Sequence, residues 1–235
     1  MRNRDLSSES MDNSDAKIRD AINRGLIPGP RLFVATKALA SSGSYEPRTE
    51  SEHTCLPAGG EVVDGPESAR SAVRRRIAAG ADVIKFFADY RRRIMRFPPA
   101  QQHPYVADIK HLPEDPNPDV LLFAQDKMDM IVSEAKLARA PVACHAGTVE
   151  GAMMAVRAGV NTIEHAYFAS AELFEAMKAS GCVFVPTLGV CEVLHAKRFS
   201  SIKAQAKLAF DIGVRMACGA DTGPGQYHIS FGDIL

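Results

Sequence analysis

The stretch Pro141-Val-Ala-Cys-His145-Ala-Gly-Thr-Val149-Glu-Gly-Ala-Met-Met-Ala-Val-Arg-Ala158-Gly-Val-Asn-Thr-Ile-Glu-His165 decides the fold. The short apolar run Pro141 to Cys144 leads to His145. Val149 to Ala158 reads as a helix and stops at Gly159, the residue type that most easily takes the left-handed conformation at a helix end. A second strand, Val160 to Glu164, leads to His165. Two strands joined by a helical crossover pair in parallel. Both runs are apolar nearly throughout, as parallel strands covered on both faces are.

The same unit recurs on either side. Ser68 to Ala79 reads as a helix with Ala69, Ala72, Val73 and Ile77 on one face and Gly80 at its end; Ala81 to Phe87 follows, with Lys85 inside it. Asp126 to Ala140 is helical, with Met130, Ile131, Ala135 and Leu137 on its apolar side, and Pro141 stops it. Ala171 to Ser180 ends at Gly181 and gives way to Cys182 to Leu188, with Thr187 near the end. Ser201 to Ile212 ends at Gly213, and Val214 to Gly219 delivers Asp221. Upstream, Asp15 to Arg24 is a helix capped by Gly25, ahead of a strand from Arg31. The expectation is an α/β protein with about six parallel strands, near 31–36, 82–87, 141–145, 161–165, 182–188 and 214–219, and helices outside them.

Two segments break the rhythm. Ala38 to Glu67 is rich in Ser, Gly and Pro; Tyr90 to Asp119 carries Arg91 to Arg93 and six prolines. Both follow the C-terminal end of a strand, where parallel α/β proteins build their sites. The arginine run reads as a solvated insertion. His53, His103 and His111 read as exposed loop histidines, and His195 as a surface residue. No domain boundary falls between Asp15 and Leu235, so residues 1–235 are expected to form one domain.

Composition narrows the function. The chain has 235 residues, with 28 Lys and Arg against 28 Asp and Glu. A net charge of zero gives no electrostatic footprint for nucleic acid or an anionic membrane. No run reaches the roughly 18 apolar residues of a membrane span. The polar start, Met1 to Ser10, lacks the apolar core of a signal peptide. Five scattered cysteines without a CxxC fit a reducing, cytoplasmic setting; Cys144, Cys182 and Cys218 sit in apolar runs as small hydrophobes. There is no Walker A sequence, GxGxxG or GxSxG.

Four strands place Lys85, His145, His165 and Asp221 at or just past their C-terminal ends, on one face of the sheet. Each alone has an ordinary explanation: a satisfied structural histidine, a lysine snorkelling to the rim, an aspartate in a turn. Together, two imidazoles, a carboxylate and a desolvated lysine form a donor set for a divalent metal. The apolar neighbours Val83, Ile84, Phe86 and Phe87 favour the neutral amine of Lys85. A neutral amine can form a Schiff base with a carbonyl substrate, or take up carbon dioxide to give an anionic carbamate ligand. The histidines lean the choice toward metal, and a Schiff-base lyase remains a third reading.

Gly80-Ala-Asp-Val-Ile-Lys85, Pro141-Val-Ala-Cys-His145-Ala, Ala158-Gly-Val-Asn-Thr-Ile-Glu-His165 and Cys218-Gly-Ala-Asp221-Thr-Gly resemble successive strand ends of the amidohydrolase superfamily, in its imidazolonepropionase-like and prolidase-like branch. Arg19 to Arg31 also resembles that branch, ahead of its third strand. The likeness runs from about Arg4 to Asp233. It implies a TIM-type (β/α)₈ barrel with a binuclear metal centre, usually zinc. It implies that Lys85, carboxylated by carbon dioxide, bridges the metals, that His145 and His165 ligate the second one, and that Asp221 touches the first and acts as base. The implied activity is hydrolysis of carbon–nitrogen bonds in a small amide, cyclic amide or dipeptide-like substrate by metal-activated water.

The chain also departs from that pattern. It has no His-x-His, which opens the family's site on strand 1, and Arg4-Asp-Leu6 resembles the tail of strand 2. Ser41 to Tyr45 stands where Gly-His-Gly is expected. No counterpart of the flanking β-sandwich is present. The expectation is therefore an incomplete barrel, open between the strands near Arg31 and Asp221, in a truncated relative. The alternative is a truncated or degenerate, catalytically inactive relative, either a fragment or a non-catalytic binding protein. Open strand edges are an association liability, which leaves a homo-oligomer open as a partner.

Overall fold

The computed structural model describes residues 2–6, 13–42, 49–51, 54, 55, 60–91, 119–121 and 123–221. In chain order these form β1 (Arg2–Asp5), α1 (Ser14–Asn23), β2 (Arg31–Val34), β3 (Ala38–Ala40), β4 (Thr49–Ser51), β5 (Thr54–Cys55), β6 (Gly60–Val62) and α2 (Pro66–Ala78). There follow β7 (Ile84–Phe87), β8 (Asp89–Arg91), β9 (Asp119–Leu121), α3 (Gln125–Leu137), β10 (Val142–Ala146), α4 (Val149–Ala158) and β11 (Thr162–His165). Then come α5 (Ala171–Ser180), β12 (Val183–Val185), α6 (Leu188–Leu194), a 3₁₀ turn at Ala196–Arg198, and α7 (Phe199–Ile212).

The local signals explain these boundaries. Thr148 and Ser170 cap α4 and α5 by accepting hydrogen bonds from Gly151 N and Leu173 N. Gly159 ends α4 at φ 91°, a conformation costly for any residue with a Cβ. The helix-to-strand turns at Gly80, Gly181 and Gly213 repeat it.

Six strands form one sheet in the order β12-β11-β10-β7-β3-β6, every pair parallel. β1 and β2 pair in parallel beside it. Val34 O accepts from Asp82 N and Val83 N at 2.8 and 3.2 Å, which seats β2 against the approach to β7. β2 and β3 are thus one strand path interrupted at Thr36, whose φ is 59° and whose N–H donates to the buried Asp15 carboxylate. At the other edge Phe184 bridges Met216 in parallel, with backbone bonds to Arg215 O and from Ala217 N. The helices cover the outer face, giving an α/β fold consistent with an incomplete (β/α)₈ barrel.

The period-two alternation of the strands sorts the interior. Ile84, Phe86, Cys144, Ala146, Ile163 and Phe184 join the main core with Val73, Met128, Ile131, Ala152, Leu173 and Phe174 from the helices. Ala35, Val83 and Ala143 form a separate small cluster, and Ala38, Ala40 and Phe87 another. Lys85, His145 and Glu164 share strand parity with these inner positions.

Several expectations are corrected. Among the described residues, the strand near 214–219 is a single bridge, Met216 pairing with Phe184. The segment 38–67 is not all loop: it holds β3 and β6, three residues each, too short for a periodic signal. Because β1 pairs with β2, the described edge on that side is β1 and not the strand near Arg31. The 182–188 run ends at Val185, and Leu188 opens α6. On α3, Met128 takes the buried position, while Leu137 is 78% exposed at the helix end. Cys144, Cys182 and Cys191 are buried thiols, but Cys218 is exposed.

Candidate metal centre

Lys85 lies on β7 and is buried. Burial pushes its amine pKa below the usual lysine value, opposed by the charges of Glu164 and Asp221 and assisted by Arg4. Those opposing charges identify its surroundings. Glu164, buried on β11, accepts a 2.5 Å hydrogen bond from the Thr162 hydroxyl. Arg4, from β1, reaches the same carboxylate at 3.6 Å. The Phe87 ring centroid lies 5.9 Å from the Lys85 nitrogen.

His145, buried at the end of β10, packs its ring 4.9 Å from Phe87 and 4.6 Å from His165. The register pairs His145 with Glu164 and Ala146 with His165. A regular strand would therefore turn His165 toward the helix side, as it turns Ala146. Positive φ values at His165 (76°) and Ala166 (44°) accompany its departure from that pattern. The His165 Nδ1 is held 2.8 Å from Thr187 Oγ1. Burial, then the charges of Lys85 and His195, keeps its pKa well below the ordinary histidine value. The neutral imidazole that results is the form that ligates metal.

Asp221 closes the described chain with φ 48° and an exposed face. Burial of its carboxyl raises the pKa and the Lys85 charge lowers it, so the two groups lie within electrostatic reach. His145 and His165 are in ring contact, and the charge of Lys85 acts on both His165 and Asp221.

Two contributors, Asp89 and Glu164, carried no signal of their own in the sequence, and Thr187 and Arg4 stood out only as strand-end positions. Asp89, fully buried, accepts from Gly147 N, Thr148 N and Thr148 Oγ1 at 2.6, 2.9 and 2.6 Å, and lies 3.9 Å from His145 Nε2. Thr187, Glu164 and Arg4 complete the set. Apart from the local Thr162–Glu164 bond, their partners are 22 to 160 positions away, and the folded strand order brings them together. The expectation that His195 is a surface residue is corrected: it is half-buried, its ring 4.6 Å from Tyr167, which lies 5.3 Å from His165. His53, His103, His111, Arg92 and Arg93 lie outside the described residues.

Among the described residues, no group of three His, Cys, Asp or Glu side chains is placed to hold a metal ion. The paired imidazoles are two donors. Lys85 would become a third only as its carbamate; burial lowers its amine pKa, the direction that favours the neutral nitrogen such a reaction needs. On those terms the donors fit a divalent cation.

The parallel, helix-covered sheet is a metal-dependent hydrolase fold. Residues 5–229 match the amidohydrolase family, and the chain belongs to it. Over 89% of its length it is 28% identical to the ochratoxinase of Aspergillus niger, of which it covers 46%. The crystal structure of that ochratoxinase matches with a TM-score of 0.73 at 25% identity, over 96% of this chain and 53% of the other. A Xaa-Pro dipeptidase crystallised with methionine in its active site matches with a TM-score of 0.71 at 28% identity, over 94% and 54%. The chain thus spans about half the length of the relatives it matches. No described helix is long and apolar enough to cross a membrane.

Proposed function

We propose that this chain carries the metal site of a hydrolase that cleaves a carbon–nitrogen bond in a small amide or dipeptide-like substrate. The observation that carries the reading is the meeting of the His145 and His165 rings, 4.6 Å apart on neighbouring strands, in a chain whose buried Lys85 favours the neutral amine. Lys85 as carbamate, His145 and His165 would hold one divalent cation, zinc by the character of the donors. A cation bound there supplies Lewis acidity and lowers the pKa of a water molecule. Asp221 would take the proton of the attacking water and return it to the leaving nitrogen; burial raises its carboxyl pKa. The Xaa-Pro dipeptidase and the ochratoxinase point to dipeptides ending in proline and to ochratoxin as the first substrates to try.

A second reading is favoured by one observation: the 235 residues contain no His-x-His. Asp221 and a shared carbamate alone are a weak second site, so one cation per chain is expected, with slow or absent turnover. Zinc analysis of the purified chain, paired with hydrolysis assays on Xaa-Pro dipeptides, separates the readings. One equivalent of zinc, lost in Lys85→Ala, supports the metal site; hydrolysis lost in the same variant supports the enzyme. Zinc content and hydrolysis both unchanged in Lys85→Ala would overturn the assignment.

A further inference from the structure

Asp89 is a buried carboxylate whose side-chain hydrogen-bond donors, among the described residues, come from the turn after His145. Gly147 N donates to Oδ1, and Thr148 N and Oγ1 donate to Oδ2. The same Thr148 oxygen accepts from Gly151 N and so starts α4. A Cβ on Gly151 would lie 2.4 Å from Asp89 Oδ2, so the first turn of the helix is packed directly onto the carboxylate. Oδ1 also lies 3.9 Å from His145 Nε2. That distance is beyond a hydrogen bond but strongly felt where water is excluded. Burying a carboxylate is costly, and a neutral side chain could tie a turn. What the carboxylate adds is negative charge at one edge of the His145 ring. Histidines that ligate metals commonly present their other nitrogen to such a group, which fixes the tautomer and raises the basicity of the ligating nitrogen.

We infer that Asp89 is a positioning residue for His145, favouring the proton on Nε2 and leaving Nδ1 as the nitrogen offered to a divalent cation. The inference rests on the reading of His145 as a ligand. Its test uses the full chain, stripped of metal, with zinc alone as the probe. Zinc affinity is measured by competition with a chromophoric chelator for the unmodified protein, Asp89→Asn and His145→Ala, and the His145 tautomer is read by nitrogen-15 NMR. Asp89→Asn is expected to weaken zinc binding about 10- to 100-fold. The unmodified protein is expected to show the Nε2–H tautomer, and the variant to lose that preference. An Nδ1–H tautomer in the unmodified protein overturns the inference, and this measurement stands even if Asp89→Asn does not fold. Unchanged affinity in Asp89→Asn, with binding lost in His145→Ala, also overturns it while leaving the site intact. Unchanged affinity in His145→Ala removes the site reading and the inference with it.

Discussion

The His145 and His165 rings lie 4.6 Å apart at 59° to each other, although the sheet register sets His145 opposite Glu164. The meeting depends on irregular backbone. Among the described residues, His165, Ala166, Thr187 and Asp221 are four of the seven non-glycine residues with positive φ. All four lie at or beyond C-terminal strand ends. Such conformations cost on the order of 1–3 kcal/mol each and persist where the surrounding structure enforces them. The cost falls at the chain positions that carry the candidate ligands.

Thr187 is one of the enforcing groups. Its hydroxyl is hydrogen-bonded to His165 Nδ1, and both residues are buried. Thr187→Val keeps the shape and removes the partner. It is expected to destabilise the fold by about 1–3 kcal/mol and to weaken zinc binding roughly tenfold. Urea titration and chelator competition measure the two effects. A stable variant with undiminished affinity would show that the contact holds nothing in place.

The pH response of His165 has a definite sign. Its folded pKa is well below 6.5, chiefly through burial. Above 6.5 both folded and unfolded states are neutral at this group, and its contribution to stability is full. As pH falls below 6.5, the unfolded chain takes a proton that the folded chain refuses, and stability drops. The slope from this one group cannot exceed about 1.4 kcal/mol per pH unit. In metal-free protein, His165→Gln is expected to flatten the loss between pH 6.5 and 5. An identical slope in the variant would mean that His165 is not held neutral.

The repeating helix-and-strand units were legible because they rest on local signals: Gly159, Gly181 and Gly213 at helix ends, and short apolar runs between them. Lys85, His145 and His165 stood out as polar residues at the ends of such runs, and all three are buried. Asp89 and Glu164 did not stand out, because a carboxylate beside a turn or inside Thr-Ile-Glu-His looks ordinary until its partners are known. Gly147, Thr148 and Arg4 become those partners only through strand order. The weak pairing at Met216 was equally illegible: the run is apolar enough for a strand, but pairing depends on what lies beside it.

Arg4 and Glu164 join the edge strand β1 to the interior. Glu164 is nearly inaccessible, with Arg4 and the Thr162 hydroxyl as contacts. The Arg4 side chain is about a third exposed, which screens the pair. Arg4→Ala is therefore expected to cost about 1–2 kcal/mol, below the 3–5 of a fully buried pair. Combined with Glu164→Gln, the loss should be smaller than the sum of the single losses by at least about 0.5 kcal/mol. Additive losses in urea titrations would show that the two side chains act independently.

Lys85→Met sets two consequences of one residue against each other. Without metal, the amine is buried and its pKa lies below 10.5. The unfolded chain binds a proton below 10.5 that the folded chain holds less tightly, so Lys85 drains stability as pH falls from 10.5 toward its folded pKa. Methionine has nearly the same length and no proton to lose. Replacing a poorly compensated buried polar group is expected to stabilise the metal-free chain by about 1–3 kcal/mol, seen as a rise in Tm of roughly 2–4 °C per kcal/mol for a chain of this size. With zinc and bicarbonate the order reverses. Zinc at 100 times its Kd would stabilise the unmodified protein by about 2.7 kcal/mol, while the variant, lacking the carbamate, gains little. Thermal melts at pH 8, with and without zinc, read both effects in one experiment. A metal-free variant less stable than the parent would contradict the burial argument. Equal stabilisation of both proteins by zinc would remove Lys85 from the ligand set.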